Sequence, residues 1–99
     1  MLGKRTALFR WKTAKEIAEH CNLVLEKLDE EFPNQKYYVG IVRDLYRLFE
    51  NIKECARRGE KDEKRIDWNS LVRQFVDETT DYRSPILAEM GILEKLMGQ

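Results

Sequence analysis

Residues 11–34 read WKTAKEIAEHCNLVLEKLDEEFPN, and residues 35–59 continue QKYYVGIVRDLYRLFENIKECARRG. In the first half Trp11, Ala14, Ala18, Cys21, Leu25, Leu28 and Phe32 recur at alternating spacings of 3 and 4, a continuous stripe along one side of an α-helix. Ile17 and Val24 widen that stripe into a face broad enough to cover a globular core. Pro33 then disfavours helical backbone at Phe32 and stops the helix. The second half repeats the pattern at Tyr38, Ile41, Leu45, Leu48, Ile52 and Cys55, with Val42, Phe49 and Ala56 alongside. This predicts a second helix from about Asn34 or Gln35, with Gly40 inside it at a cost of up to about 1 kcal/mol against Ala. Gly59 ends that helix after Arg57 and Arg58, basic residues suited to a helix C-terminus. A short connection at Pro33 makes the two helices an antiparallel hairpin.

Beyond Gly59 the segment GEKDEKR (59–65) has no apolar residue and reads as a charged loop. Asp67 is placed as the N-cap of a third helix that carries Trp68, Leu71, Val72, Phe75 and Val76 on one face. Thr79, Thr80 and Asp81 break it. Ser84-Pro85 restarts the chain, with Ser84 as N-cap and Pro85 at the first helical position, and Ile86, Met90, Leu93 and Met97 form the last stripe. No strand pattern and no repeat appears. The expected fold class is all-α: a compact antiparallel bundle of four helices, two long and two shorter, packed up-down-up-down. It is a single domain over residues 1–99, in which residues 1–10 form a basic N-terminal segment prone to fraying.

Composition narrows the function classes. With 42% apolar and 36% charged residues, the chain has enough aliphatic and aromatic side chains to fold rather than stay disordered. Eighteen basic and eighteen acidic residues cancel, so no whole-molecule field gathers nucleic acid or a membrane surface. No apolar run approaches the roughly 18 residues of a membrane span. The expected setting is the cytoplasm. The alternative is the mitochondrial matrix, because Met1–Lys15 is basic, acid-free and amphipathic in the manner of a presequence.

Chemistry-bearing residues are few. His20 is the only histidine and stands beside the first stripe, one turn after Glu16, which is too little for a metal site of three or four ligands. Ser70 and Ser84 have roles at helix starts, and no phosphate-binding glycine loop is present. On the hairpin drawn above, Cys21 lies opposite about Tyr46 and Cys55 about 13 Å further along, beyond disulfide reach. No catalytic residue, cofactor or metal is expected, and two free thiols are.

Charge order is more informative. Lys4, Arg5, Arg10, Lys12 and Lys15 precede the first acid, whereas Glu16–Glu31 holds six acids against Lys27. That order opposes the helix dipole, which favours acids first, so local helix stability does not account for it. The hairpin gathers Arg10, Lys12, Arg57, Arg58, Lys61, Lys64 and Arg65 into a basic pole for an anionic partner. The acids of the first and third helix ends form the opposite pole. Tyr37, Tyr46, Tyr82 and Leu23 fall off the stripes, and Arg43, Tyr46 and Arg47 share one stretch of the second helix as a candidate partner surface. The function expected from these features is non-catalytic protein–protein recognition, as a small regulator, an inhibitor or immunity-type protein, or an assembly subunit. Self-association is open to it because unbroken 3-4 stripes also pack against a second copy. The alternative is nucleic-acid binding through the basic pole.

Overall fold

The computed structural model describes the backbone of residues 2–59 and 66–98, and the side chains of residues 13–59 and 66–98. Among the described residues four α-helices follow one another: α1 Leu2–Glu31, α2 Ile41–Arg57, α3 Trp68–Thr79 and α4 Pro85–Leu96. No strand occurs among the described residues. Side-chain links fix the directions. Lys53 donates to Asn22 at 2.8 Å and Tyr46 to Asp29 at 3.4 Å, so α2 runs back along α1. The Phe49 and Trp68 rings lie 6.2 Å apart while Glu78 reaches Ile41, so α3 runs antiparallel to α2. Ser84 meets Glu31 and Glu89 meets His20, so α4 descends along α1. The bundle is therefore all-α and up-down-up-down.

Its core is one cluster of buried side chains between the helices. Cys21, Val24, Leu25 and Leu28 come from α1, and Ile41, Val42, Leu45, Phe49 and Ile52 from α2. Trp68 and Phe75 of α3, with Ile86, Met90 and Leu93 of α4, close it. The Phe32 and Phe75 rings meet edge to face, with centres 5.9 Å apart, at the end where α1 stops.

The hairpin connection differs from the expectation in a way that matters. A single 3-10 turn, Gln35–Tyr37, follows Pro33, and α2 begins only at Ile41. Gly40 is its N-cap rather than an interior residue, at φ 155° and ψ −179°, a region essentially restricted to glycine. Tyr38 therefore lies outside the helix and outside the core, and the buried face of α2 centres on Val42, Leu45, Phe49, Ile52 and Ala56. The longer connection also shifts the register, so that Lys53 rather than Tyr46 stands beside Asn22, next to Cys21. Both cysteines are free, Cys21 buried and Cys55 half-buried.

Among the described residues no helix is long and apolar enough to cross a membrane. α1 is the longest element: thirty residues span about 45 Å, which nearly fills the 50 Å long axis of the molecule. The α2 end at Arg57 sits beside Ala14 and Lys15, lining one groove with them. The first twelve residues of α1 thus continue about 18 Å past the end of α2.

Candidate functional site

Two loops lie at the end of the bundle where α1 and α3 finish. The first, residues 32–40, is shaped by its own turn chemistry. Asn34 takes the left-handed conformation at φ 71°, a region that asparagine tolerates, and the 3-10 turn then closes through Tyr37 N–H to Asn34 C=O at 3.2 Å. Lys36 fixes the loop to both long helices. Its ammonium lies 3.2 Å from the Asp29 carboxylate, donates to the Tyr46 hydroxyl at 3.3 Å and sits 4.7 Å above the Tyr46 ring centre. The hydrogen bonds to Asp29 and Tyr46 hold the Lys36 pKa above its usual value. From the other side, the Glu78 carboxylate accepts the Ile41 N–H at 2.7 Å and supplies the cap that Gly40 has no side chain to make.

The second loop, residues 80–84, is held as closely. Thr80 is left-handed at φ 56°, Thr79 Oγ1 donates to the Phe75 carbonyl at 2.6 Å, and Arg83 N–H donates to Asp81 at 3.2 Å. The buried Ser84 hydroxyl donates to Glu31 at 2.8 Å and accepts the Ile86 N–H at 3.2 Å, which caps α4. These bonds leave four large side chains outside. Tyr37 is 70% exposed, Tyr38 70%, Val39 85% and Tyr82 74%. Four large hydrophobic residues on two pinned loops, at one end of a bundle in a 99-residue chain, are more than the scattered single apolar residues normal for a surface.

At the opposite end, Lys15, Lys53 and Arg57 rim a shallow groove of about 320 Å³ floored by Ala14, Ala18 and Ala56. Glu19 and Asn22 complete its wall. Arg57 and Arg58 are both exposed, with Arg57 4.0 Å from Glu54 and Arg58 Nη2 3.9 Å from Cys55 Sγ. Of the other residues expected at this pole, Arg10 and Lys12 lie on the part of α1 beyond the groove, with side chains outside the described residues. Lys61, Lys64 and Arg65 lie outside the described residues altogether.

The expected surface on α2 divides. Arg47 is exposed, but Tyr46 is half-buried between Lys36 and Asp29 and packs against the core. Arg43 is half-buried, and its Nε is the one buried side-chain nitrogen or oxygen without a partner among the described residues. The exposed large hydrophobic residues that sequence reasoning missed are the neighbours Tyr38 and Val39. Their signal was Pro33-Asn34 followed by Gly40, which could be read as a loop running up to a glycine-started helix.

His20 is half-buried and pairs with Glu89 rather than Glu16, Nδ1 to carboxylate at 2.7 Å, tying α1 to α4. Among the described residues no three His, Cys, Asp or Glu side chains gather to hold a metal ion. Burial pushes the Cys21 thiol up to about 12, against the smaller opposing pull of the Lys53 charge.

Residues 10–99 match the family described as YeeD uncharacterised protein, and the chain belongs to that family. No curated protein matches it. No solved structure does either.

Proposed function

We propose that this YeeD-family chain is a non-catalytic protein-recognition module that docks through the aromatic end of its bundle. The observation that carries the proposal is the joint exposure of Tyr37, Tyr38, Val39 and Tyr82 on loops that the rest of the fold holds still. Tyrosine gives a large contact area with only two rotatable side-chain bonds, so little conformational freedom is lost on binding. Aromatic residues are enriched at protein interfaces for that reason among others. Pinning by Lys36, Glu78 and Ser84 acts in the same direction, because a preorganised loop avoids an ordering cost on association. A small regulator, an inhibitor or immunity-type protein, and an assembly subunit all fit a domain whose work is done by one such surface. The setting proposed for it is the cytoplasm.

The test is retention of partner proteins on the immobilised chain, compared with a variant carrying Tyr37→Ser, Tyr38→Ser, Val39→Ser and Tyr82→Ser. Loss of the retained proteins at unchanged thermal stability supports the reading, and undiminished retention removes it.

A second reading, nucleic-acid binding, is favoured by the cations Lys15, Lys53 and Arg57 around one groove. Its signature is retention on a polyanion column that vanishes with salt and with neutralisation of Arg57, Arg58, Lys61, Lys64 and Arg65.

A further inference from the structure

Charge is distributed unevenly about the exposed aromatic end. Residues 29–44 and 77–85, which bring the two loops and the adjoining helix ends together, hold seven acids against three bases. At the far end of α1, residues 1–15 hold five bases and no acid, together with Leu2, Leu8, Phe9 and Trp11. Residues 2–13 of that segment form the part of α1 that continues past the end of α2.

We infer that the aromatic end binds the basic N-terminal segment of a second copy of this chain, so that molecules associate head to tail. The inference rests on the recognition reading above and names its partner. Three observations favour this occupant. The two surfaces are complementary in charge, and each supplies large apolar or aromatic side chains. A molecule cannot satisfy its own aromatic end, because the paired part of α1, from Ala14 to Glu31, holds the two about 27 Å apart and the remaining turns lead further away. Finally, Lys4 and Arg5 stand in the first turn of α1, where the helix dipole disfavours bases, so local helix stability does not account for them.

Contact between two different surfaces does not close on itself as a two-fold dimer does, so the species grows with concentration into chains or a ring. Because opposite charges bring the copies together, the association weakens as salt is raised.

The test uses the full chain in sedimentation velocity and two substituted forms that each retain one surface. The first carries Lys4→Glu, Arg5→Glu, Arg10→Glu and Lys12→Glu. The first two changes suit the helix dipole, and glutamate is as good a helix former as lysine or arginine, so the helix is kept. The second carries Tyr38→Ser and Tyr82→Ser. The wild type is expected to grow with concentration at low salt and to fall to 11.8 kDa at high salt. Each variant alone associates at least roughly tenfold more weakly, the effect of removing central interface anchors. Mixed, the two form a pair of twice the monomer mass that grows no further, since each lends the surface the other lacks. A wild type that stays monomeric at every concentration, a salt-insensitive symmetric dimer, or variants that fail to pair would each overturn the inference. If the wild type is monomeric yet the tyrosine variant still loses proteins that the wild type retains, the head-to-tail contact fails and the recognition reading survives.

Discussion

The carboxylate of Glu78, in the last turn of α3, accepts the backbone N–H of Ile41, the first residue of α2, at 2.7 Å. A helix start lacking a side-chain cap of its own is thus capped from a different helix, 37 residues away. The same bond fixes the loop that carries Tyr37, Tyr38 and Val39.

Glu78→Ala is expected to lower stability by about 1 kcal/mol, the usual cost of losing an N-cap, and to release the 32–40 loop. Urea unfolding with an unchanged slope measures the first effect. Faster amide exchange at residues 38–42 reports the second.

Gly40→Ala separates two readings of the hairpin by sign. An interior glycine replaced by alanine would gain up to about 1 kcal/mol. At φ 155° the same change costs about 1–3 kcal/mol from backbone strain. Steric clash adds little, because the new Cβ would meet only the Glu78 carboxylate, at 3.5 Å. Thermal unfolding decides between gain and loss.

Tyr46→Ala is expected to cost about 2 kcal/mol, less than a fully buried aromatic because Tyr46 is half-covered. Arg47→Ala, on the exposed side of the same turn, should stay within about 0.5 kcal/mol. Equal losses at the two positions in chemical denaturation would contradict the placement of Tyr46 between α1 and the 32–40 loop.

The two thiols should differ in reactivity. With its thiol pushed up to about 12 and buried, Cys21 stays protonated and inaccessible at mildly alkaline pH. One equivalent of a thiol reagent is therefore expected to react with the native chain, at Cys55, and a second only after unfolding. The folded state raises this thiol above its ordinary value of 9.0, so the contribution to stability is intact below about 9 and is lost as pH climbs towards 12. Stability that rose across that window would contradict the burial of Cys21.

What the sequence made legible follows the range of the interactions involved. Asp67 and Ser84 were readable as caps because each bonds within three residues of itself, Asp67 to Ser70 N–H and Ser84 to Ile86 N–H. The stripes gave the four helices and their order for the same reason, since a 3-4 spacing is a local property. The start of α2 was not readable, because its cap, Glu78, comes from another helix, and without that partner Gly40 resembles a tolerated interior residue. His20 was placed correctly beside the stripe, but its partner Glu89 is 69 residues distant and no spacing rule connects them. The candidate surface suffered likewise. Tyr38 was read into the core stripe and Tyr46 onto the outside, and a later helix start with the reach of Lys36 reverses both.

The most direct measurement is site-specific photocrosslinking in the native cell, with the photoreactive residue at position 38 or 82 and, as controls, at 47 or 57. Protein adducts are expected from 38 and 82 and none, or far fewer, from 47 and 57. An adduct of twice 11.8 kDa would identify a second copy as the occupant. Adducts from the control positions while 38 and 82 yield none would place recognition elsewhere and contradict docking through the aromatic end.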